Sequence, residues 1–353
     1  MTRTLLATLL LFVVSCATTQ VPPASAPPIW AGLHPGLYAV GFRSSLLQTP
    51  PHPLQISVWY PAENAGPTMG YRDYLVLSLS ETSAGEPTQA QREAGVAEFT
   101  KFLTSAGLSA ESAALLIDTP MYARRDARPL STKRFPMILV VQGNGQTAAS
   151  QAVLSEFLAS HGYVVVTTPS IGRLTTPMQN EAQIGPKAWE QAQDIERAVS
   201  ATADFPNAMN GPVLLVGHSF GARGALMYAM HHPAKALVSL DGGIGTAAGE
   251  KSMMNMKEFD IGASIPPILH FYELNEDRMN PNFRILRSLR TPDLELVRMN
   301  SLRHIHFTTD GFGAILVPEL AKVTRAGPDL KNDVVSVAQQ TLAFLDKQSQ
   351  STR

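Results

Sequence analysis

The sequence predicts an α/β domain built on a mainly parallel, doubly wound sheet, with antiparallel strands at its amino end and helices on its faces. Three observations predict this fold class. From Arg134 onward, apolar β-branched runs alternate with segments of helical period, the mark of strand, crossover and parallel strand. The runs at 135–141, 163–167 and 213–216 are almost wholly apolar, as strands covered on both faces are. The runs at 37–42 and 54–60 are separated only by a loop holding Pro50, Pro51 and Pro53, which suits an antiparallel pair.

In the second of these runs Ile56, Val58 and Tyr60 alternate with Gln55 and Ser57, the period of a strand. Residues 62–130 read as an insertion over the upper edge of the sheet. Val96, Phe99, Phe102 and Leu103 give helical spacing over 90–106, and Ser109 is placed to cap a second helix reaching Ile117. The insertion could wall a substrate site or form a packing layer, since apolar helix faces usually belong to a core. Beyond it, strand 135–141, helix 148–160 and strand 163–167 make one βαβ unit, and Trp189, Ala192, Ile195 and Val199 mark a helix over 188–203. Strands at 236–240, 268–274 and 294–299 follow, and a helix over 332–347 closes the chain.

At 44% hydrophobic and 16% charged, the 353 residues can bury a large single core. A formal net charge of -1 supplies no basic field for nucleic acid, so no such partner is expected.

The first sixteen residues differ from the rest. Arg3 gives a short positive start, 5–14 is almost wholly apolar, and Val13-Val14-Ser15-Cys16 closes the segment. That stretch is too short to span a bilayer and suits an export signal. Cys16 is the only cysteine, and its setting resembles a bacterial lipobox, in which the cysteine becomes the lipidated first residue. By the same resemblance, Ala17 behind it implies outer-membrane sorting. The expected organisation is a signal at 1–16, a proline-rich tether at 17–33 and one α/β domain at 34–348.

The chemistry centres on Gly217-His218-Ser219-Phe220-Gly221, which directly follows the apolar run 213–216 and opens a segment of helix formers. A G-x-S-x-G in that context is a strand, a sharp turn and a helix, with Ser219 exposed at the apex and small residues required at both flanks. A serine hydroxyl is a poor nucleophile until a base takes its proton, and the base must be oriented by an acid. His304 and His306, just past the last strand, are the candidate bases. Asp241, ending the strand after the elbow helix, and Asp277, beside Glu273 and Glu276 after the next strand, are the candidate acids. Acyl transfer also needs two N–H groups aimed at the oxyanion. Phe220, after the nucleophile, is one donor, and Asn144, between Gly143 and Gly145, is the other. Neither His231-His232 nor His304-x-His306 has the pairing of a zinc hydrolase, and no phosphate loop or dinucleotide fingerprint occurs, so no metal and no cofactor is expected. His34, His52 and His161 are given no chemical role.

Taken together, 135–145, 158–165, 217–221, 237–241, 304–307 and 341–345 resemble the platelet-activating-factor acetylhydrolase branch of the α/β-hydrolases, related to dienelactone-hydrolase-like bacterial proteins. The resemblance implies Asp241 as acid, because the acid of that branch follows the strand after the elbow helix. It implies His304 as base, because that base precedes a phenylalanine by three positions. Gln142 stands where the branch usually has histidine, and the nucleophile is serine where dienelactone hydrolases use cysteine, which removes dienelactones as the expected substrate.

The expected activity is hydrolysis of a small-molecule carboxylic ester through an acyl-enzyme, with short acyl or phospholipid-like esters implied by the resemblance. The membrane is met through the lipid on Cys16. The same triad could serve a cell-envelope acyltransferase or thioesterase, and a non-catalytic binding protein on a hydrolase shell is the reading from another class.

Overall fold

The computed structural model describes residues 25–81, 87–170, 172, 175–276 and 279–350. Cys16 with its signal segment, and Asp277, lie outside the described residues. Within them, one sheet contains β1 (Ala39–Leu47), β2 (Leu54–Ala62), β3 (Thr68–Gly70), β4 (Pro120–Arg125), β5 (Met137–Val141), β6 (Val164–Thr168), β7 (Val213–His218), β8 (Ala234–Leu240), β9 (Ile268–Tyr272) and β10 (Leu294–Arg298). Their spatial order is β10-β9-β8-β7-β5-β6-β2-β1-β4-β3. The stretch from β6 through β5 to β10 is parallel, whereas β2 is antiparallel to both β1 and β6. This is the mixed sheet the sequence predicts.

Register positions the site. Val141 pairs with Gly217, His218 with Leu240, and Leu240 with Phe271. The loops carrying Gln142, Ser219 and Asp241 therefore leave the sheet side by side at one edge.

Helices cover both faces: α1 (Tyr71–Ser80), α2 (Gln89–Ser105), α3 (Ala110–Ile117), α4 (Ala152–Ser160), α9 (Thr309–Leu316), α10 (Pro318–Val323) and α11 (Leu330–Gln350) enclose one core with Trp59, Val140 and Val216. The helices α5 (Ile184–Thr202), α6 (Gly221–His231), α7 (Glu250–Met254) and α8 (Arg284–Ser288) enclose the other with Leu139, Leu215 and Leu237. The alternation in β2 does not mark a solvated face, because all nine of its residues are buried. Its polar side is accounted for by contacts such as Gln55 Nε2 donating to Ser80 Oγ at 3.1 Å.

The insertion adds more than helices. It contributes β3, β4 and α1, none of which the sequence reading placed, and β4 pairs in parallel with β1. Ser109 caps α3 as expected, its side chain accepting from Ser112 N–H. On α2 only Leu103 of the apolar row is fully buried, and Phe102 is 64% exposed.

Beside the pairing of β4 with β1, Glu156 on α4 ties the insertion to the rest of the domain. Its carboxylate accepts from Trp30 Nε1 at 3.3 Å, Tyr74 O–H at 2.8 Å, and the N–H groups of Tyr122 and Ala123, each at 2.9 Å. Burial pushes its pKa up to about 6 even against those four donors. Trp30 belongs to the stretch assigned to a tether on composition, yet Ile29, Trp30 and Leu33 are almost fully buried, so the packed domain begins ahead of residue 34.

Candidate active site

Ser219 sits between β7 and α6 at φ +54, in the left-handed region that costs a non-glycine residue about 1–3 kcal/mol. The turn is held from both sides: Ser219 N–H donates to Leu240 C=O at 3.1 Å, and Ser219 C=O accepts from Gly243 N–H at 2.8 Å. The flanking glycines are steric requirements. A Cβ on Gly221 would lie 2.1 Å from Val141 O, and one on Gly217 would lie 2.5 Å from Ala222 Cα.

Ser219 Oγ is 2.8 Å from His304 Nε2, and His304 Nδ1 is 2.6 Å from Asp241 Oδ2. A carboxylate oxygen can only accept, so Nδ1 carries the proton, and Nε2 is left to accept from the serine hydroxyl. Asp241 ends β8 at φ +44, with its N–H bonded to Phe271 C=O at 2.9 Å and its Oδ1 facing Glu273 N–H at 3.4 Å. His304 lies in a short 3-10 turn (His304–Phe307), nine-tenths buried.

The other candidate base is placed differently. His306 Nε2 lies 2.8 Å from Thr324 Oγ1, whose own hydrogen goes to Leu320 C=O, and Nδ1 accepts from Arg303 N–H at 3.0 Å. Burial holds its pKa down, at about 4. The geometry brings His304, not His306, to Ser219, and His306 caps the turn that carries His304.

The loop after β5 passes against the serine: a Cβ on Gly143 would be 3.0 Å from Ser219 Cβ. Gly143 N–H donates to Gln146 Oε1 at 2.7 Å, and Gln146 N–H returns to Gly143 C=O at 3.0 Å. Gln142 supports this loop in its own way. Its Nε2 donates to Thr167 Oγ1 on β6 at 3.0 Å, and its C=O accepts from Gln191 on α5 at 2.8 Å. On the insertion side, Leu75, Leu79, Phe99, Phe102 and Thr147 line a cleft of about 360 Å³, and Glu81 accepts from Ala148 N–H at 3.1 Å, joining the end of α1 to the loop's far side.

Two groups at the site had no role assigned from sequence, although His218 lies inside the serine motif and Glu273 beside Asp277. His218 stacks on His304, with ring centroids 4.7 Å apart, and its Nδ1 is 2.9 Å from Gln146 Oε1. Glu273, at the end of β9, is fully buried beside Asp241. Burial first, then the charges of Asp241 and Glu276, push its pKa up to about 7. Glu273 caps the turn that follows by accepting the N–H groups of Asn275 and Glu276. Asn275 Nδ2 in turn donates to Asn300 C=O and Leu302 C=O, ahead of His304. Among the described residues no three His, Cys, Asp or Glu side chains gather as metal ligands.

A profile of the alpha/beta hydrolase family matches residues 138–335, more than half of the chain and inclusive of Ser219, Asp241 and His304. The chain belongs to the alpha/beta hydrolase family. No curated protein matched this hydrolase in sequence. Among solved structures, it resembles a ferulic acid esterase from Streptomyces cinnamoneus at 16% identity and TM-score 0.60, over 88% of this chain and 89% of the other. A cold-adapted esterase from an Arctic intertidal metagenomic library aligns at 10% identity and TM-score 0.44, over 88% of this chain and 94% of that one. Pyrococcus horikoshii acylaminoacyl peptidase aligns at 11% identity and TM-score 0.49, over 88% of this chain and 42% of that one. At these identities the likeness concerns the fold alone. No helix among the described residues is long and apolar enough to cross a membrane.

Proposed function

We propose that this hydrolase is a serine-dependent carboxylic-ester hydrolase of the platelet-activating-factor acetylhydrolase-like kind. The observation that carries the reading is the unbroken chain Ser219 Oγ, His304 Nε2, His304 Nδ1, Asp241 Oδ2, with links of 2.8 and 2.6 Å. Ser219 attacks the ester carbonyl while its proton passes to His304 Nε2. Asp241 holds the ring in the required tautomer and balances the imidazolium. The N–H groups of Phe220 and Asn144 receive the oxyanion. Gly143 N–H is already taken by Gln146, which leaves the next amide of a loop lying against Ser219 for that task. Nε2 then protonates the departing alcohol, and a water activated by the same nitrogen frees the acid.

Short acyl or phospholipid-like esters are the substrates this reading favours. Export and lipidation at Cys16 would hold the enzyme at a membrane, through the proline-rich stretch that precedes the packed domain. The test is mass spectrometry of protein lacking residues 1–16 after exposure to a fluorophosphonate, comparing wild type with Ser219→Ala and His304→Ala. One adduct on Ser219, absent from the first variant and formed far more slowly in the second, is expected. Folded wild type that takes no adduct would overturn the reading.

A further inference from the structure

Arg223 lies on α6 four residues beyond Ser219 and is only 6% exposed, yet no carboxylate pairs with it among the described residues. Its Nη2 donates to Ala248 C=O at 2.6 Å and to Thr246 Oγ1 at 3.2 Å, and its Nε has no partner there. The guanidinium sits 5.6 Å from the ring centroid of Phe220 and fills the space where a Cβ on Gly243 would be, 2.3 Å from Arg223 Cζ. Burial holds its pKa down, at about 10. A buried cation with no carboxylate in contact, the charge of Glu181 acting on it only from farther off, is expensive, and an apolar side chain of similar length would bury the same stem without that penalty. The reason for a guanidinium has to be found in what it holds.

What it holds is the loop that follows Asp241. Thr246 donates to Gly243 C=O at 3.0 Å, and Gly243 donates its N–H to Ser219 C=O at 2.8 Å. One planar side chain therefore packs on the residue after the nucleophile and ties down the loop after the acid. That loop in turn bonds the backbone of the nucleophile. We infer that Arg223 is a positioning residue that keeps Phe220 and Ser219 in register with the loop after Asp241. This inference rests on the esterase reading above. Both bonds come from the one nitrogen Nη2, so what a lysine lacks is the flat guanidinium face that packs on Phe220 and against Gly243 while that nitrogen reaches the loop. Misplacement by about 1 Å can cost a reaction roughly a hundredfold, so loss of this clamp should appear in the chemical step rather than in substrate binding.

The experiment measures kcat and KM on a chromogenic acetate ester, the rate of fluorophosphonate labelling, and the folded fraction for wild type, Arg223→Lys, Arg223→Met and Arg223→Ala. Expected are falls of about 10- to 100-fold in kcat and labelling rate for folded variants, with KM within about twofold. Guanidinium ion at non-denaturing concentration should restore part of the rate to Arg223→Ala, while wild type and a urea control show no gain. Folded variants with wild-type kcat, or losses that follow only the folded fraction without rescue, would overturn the inference. Should the Arg223 variants fail to fold, Thr246→Val decides: a severalfold fall in kcat supports the clamp, and an unchanged kcat overturns it. Wild type that takes no label defeats the esterase reading instead, so the two failures are distinguishable.

Discussion

His218 lies almost flat against His304, with ring centroids 4.7 Å apart and an interplanar angle of 29°. One edge of the His304 ring is bound to Asp241 and the other faces Ser219, so the flanking His218 ring opposes its swinging out of line. Replacing His218 by alanine should lower kcat on a chromogenic ester about tenfold with KM little changed, whereas His218→Phe, which keeps a flat face, should lose less. Equal losses in the two variants would show that the ring's nitrogens matter and its face does not.

Asp241 and Glu273 end adjacent strands, but only Asp241 reaches His304. Asp241→Asn presents an amide where the ring needs an acceptor, and kcat should fall by about a thousandfold or more. Steady-state kinetics with fluorophosphonate labelling checks this. A drop below about tenfold would mean that another carboxyl orients the base.

Glu273 links stability to pH with a definite sign. Its folded pKa, about 7, lies above the ordinary carboxyl value, so the folded state binds the proton more tightly than the unfolded one. Its contribution is therefore present at acidic pH and is lost as pH rises toward and through 7, at up to about 1.4 kcal/mol per pH unit. Glu273→Gln can keep its carbonyl oxygen for Asn275 and Glu276 while turning its amide toward the position of Oε1, which has no partner. Denaturant unfolding between pH 5 and pH 8 should show a flatter profile for this variant than for wild type. Parallel profiles would place the proton elsewhere.

His306 should behave as a structural histidine. His306→Ala removes the bonds to Arg303 and Thr324 and should cost about 1–3 kcal/mol in chemical unfolding. It should leave most of the activity of the folded fraction, in contrast to His304→Ala. Because burial lowers the His306 pKa to about 4, its contribution is present at neutral pH and is lost as pH falls from about 6.5 toward 4.

Glu156→Gln tests the attachment of the insertion. An amide nitrogen would face donors where the carboxylate accepts from Trp30, Tyr74, Tyr122 and Ala123. A loss of about 2–4 kcal/mol in stability is expected, with earlier proteolysis within residues 62–130. Unchanged unfolding would assign the attachment to the apolar contacts alone.

The parts of this protein legible in sequence are those whose requirements are local. The turn at Ser219 needs glycine within two residues on each side, because Val141 O and Ala222 stand where a Cβ would go, and so it leaves a written pattern. Buried parallel strands need uninterrupted apolar runs, which made β5, β6 and β7 readable. The insertion was half legible: α2 and α3 follow helical spacing and a serine cap, while β3 is a three-residue edge strand and β4, between it and β1, is placed by pairing with β1 and by Glu156 reaching Tyr122 and Ala123.

The sequence by itself determined the order of the parallel strands, the serine at its elbow and a short set of carboxylates and histidines beyond it. Tertiary structure decided among that set. His304 and His306 differ by two positions and share a turn, yet one meets Ser219 and Asp241 across 85 and 63 residues of chain while the other is bound to Thr324 and Arg303. No local preference encodes that difference, because it arises from sheet register and from the packing that seats the 304–307 turn. The same holds for Arg223, Gln146 and His218, whose roles exist only where separate loops converge above the parallel strands.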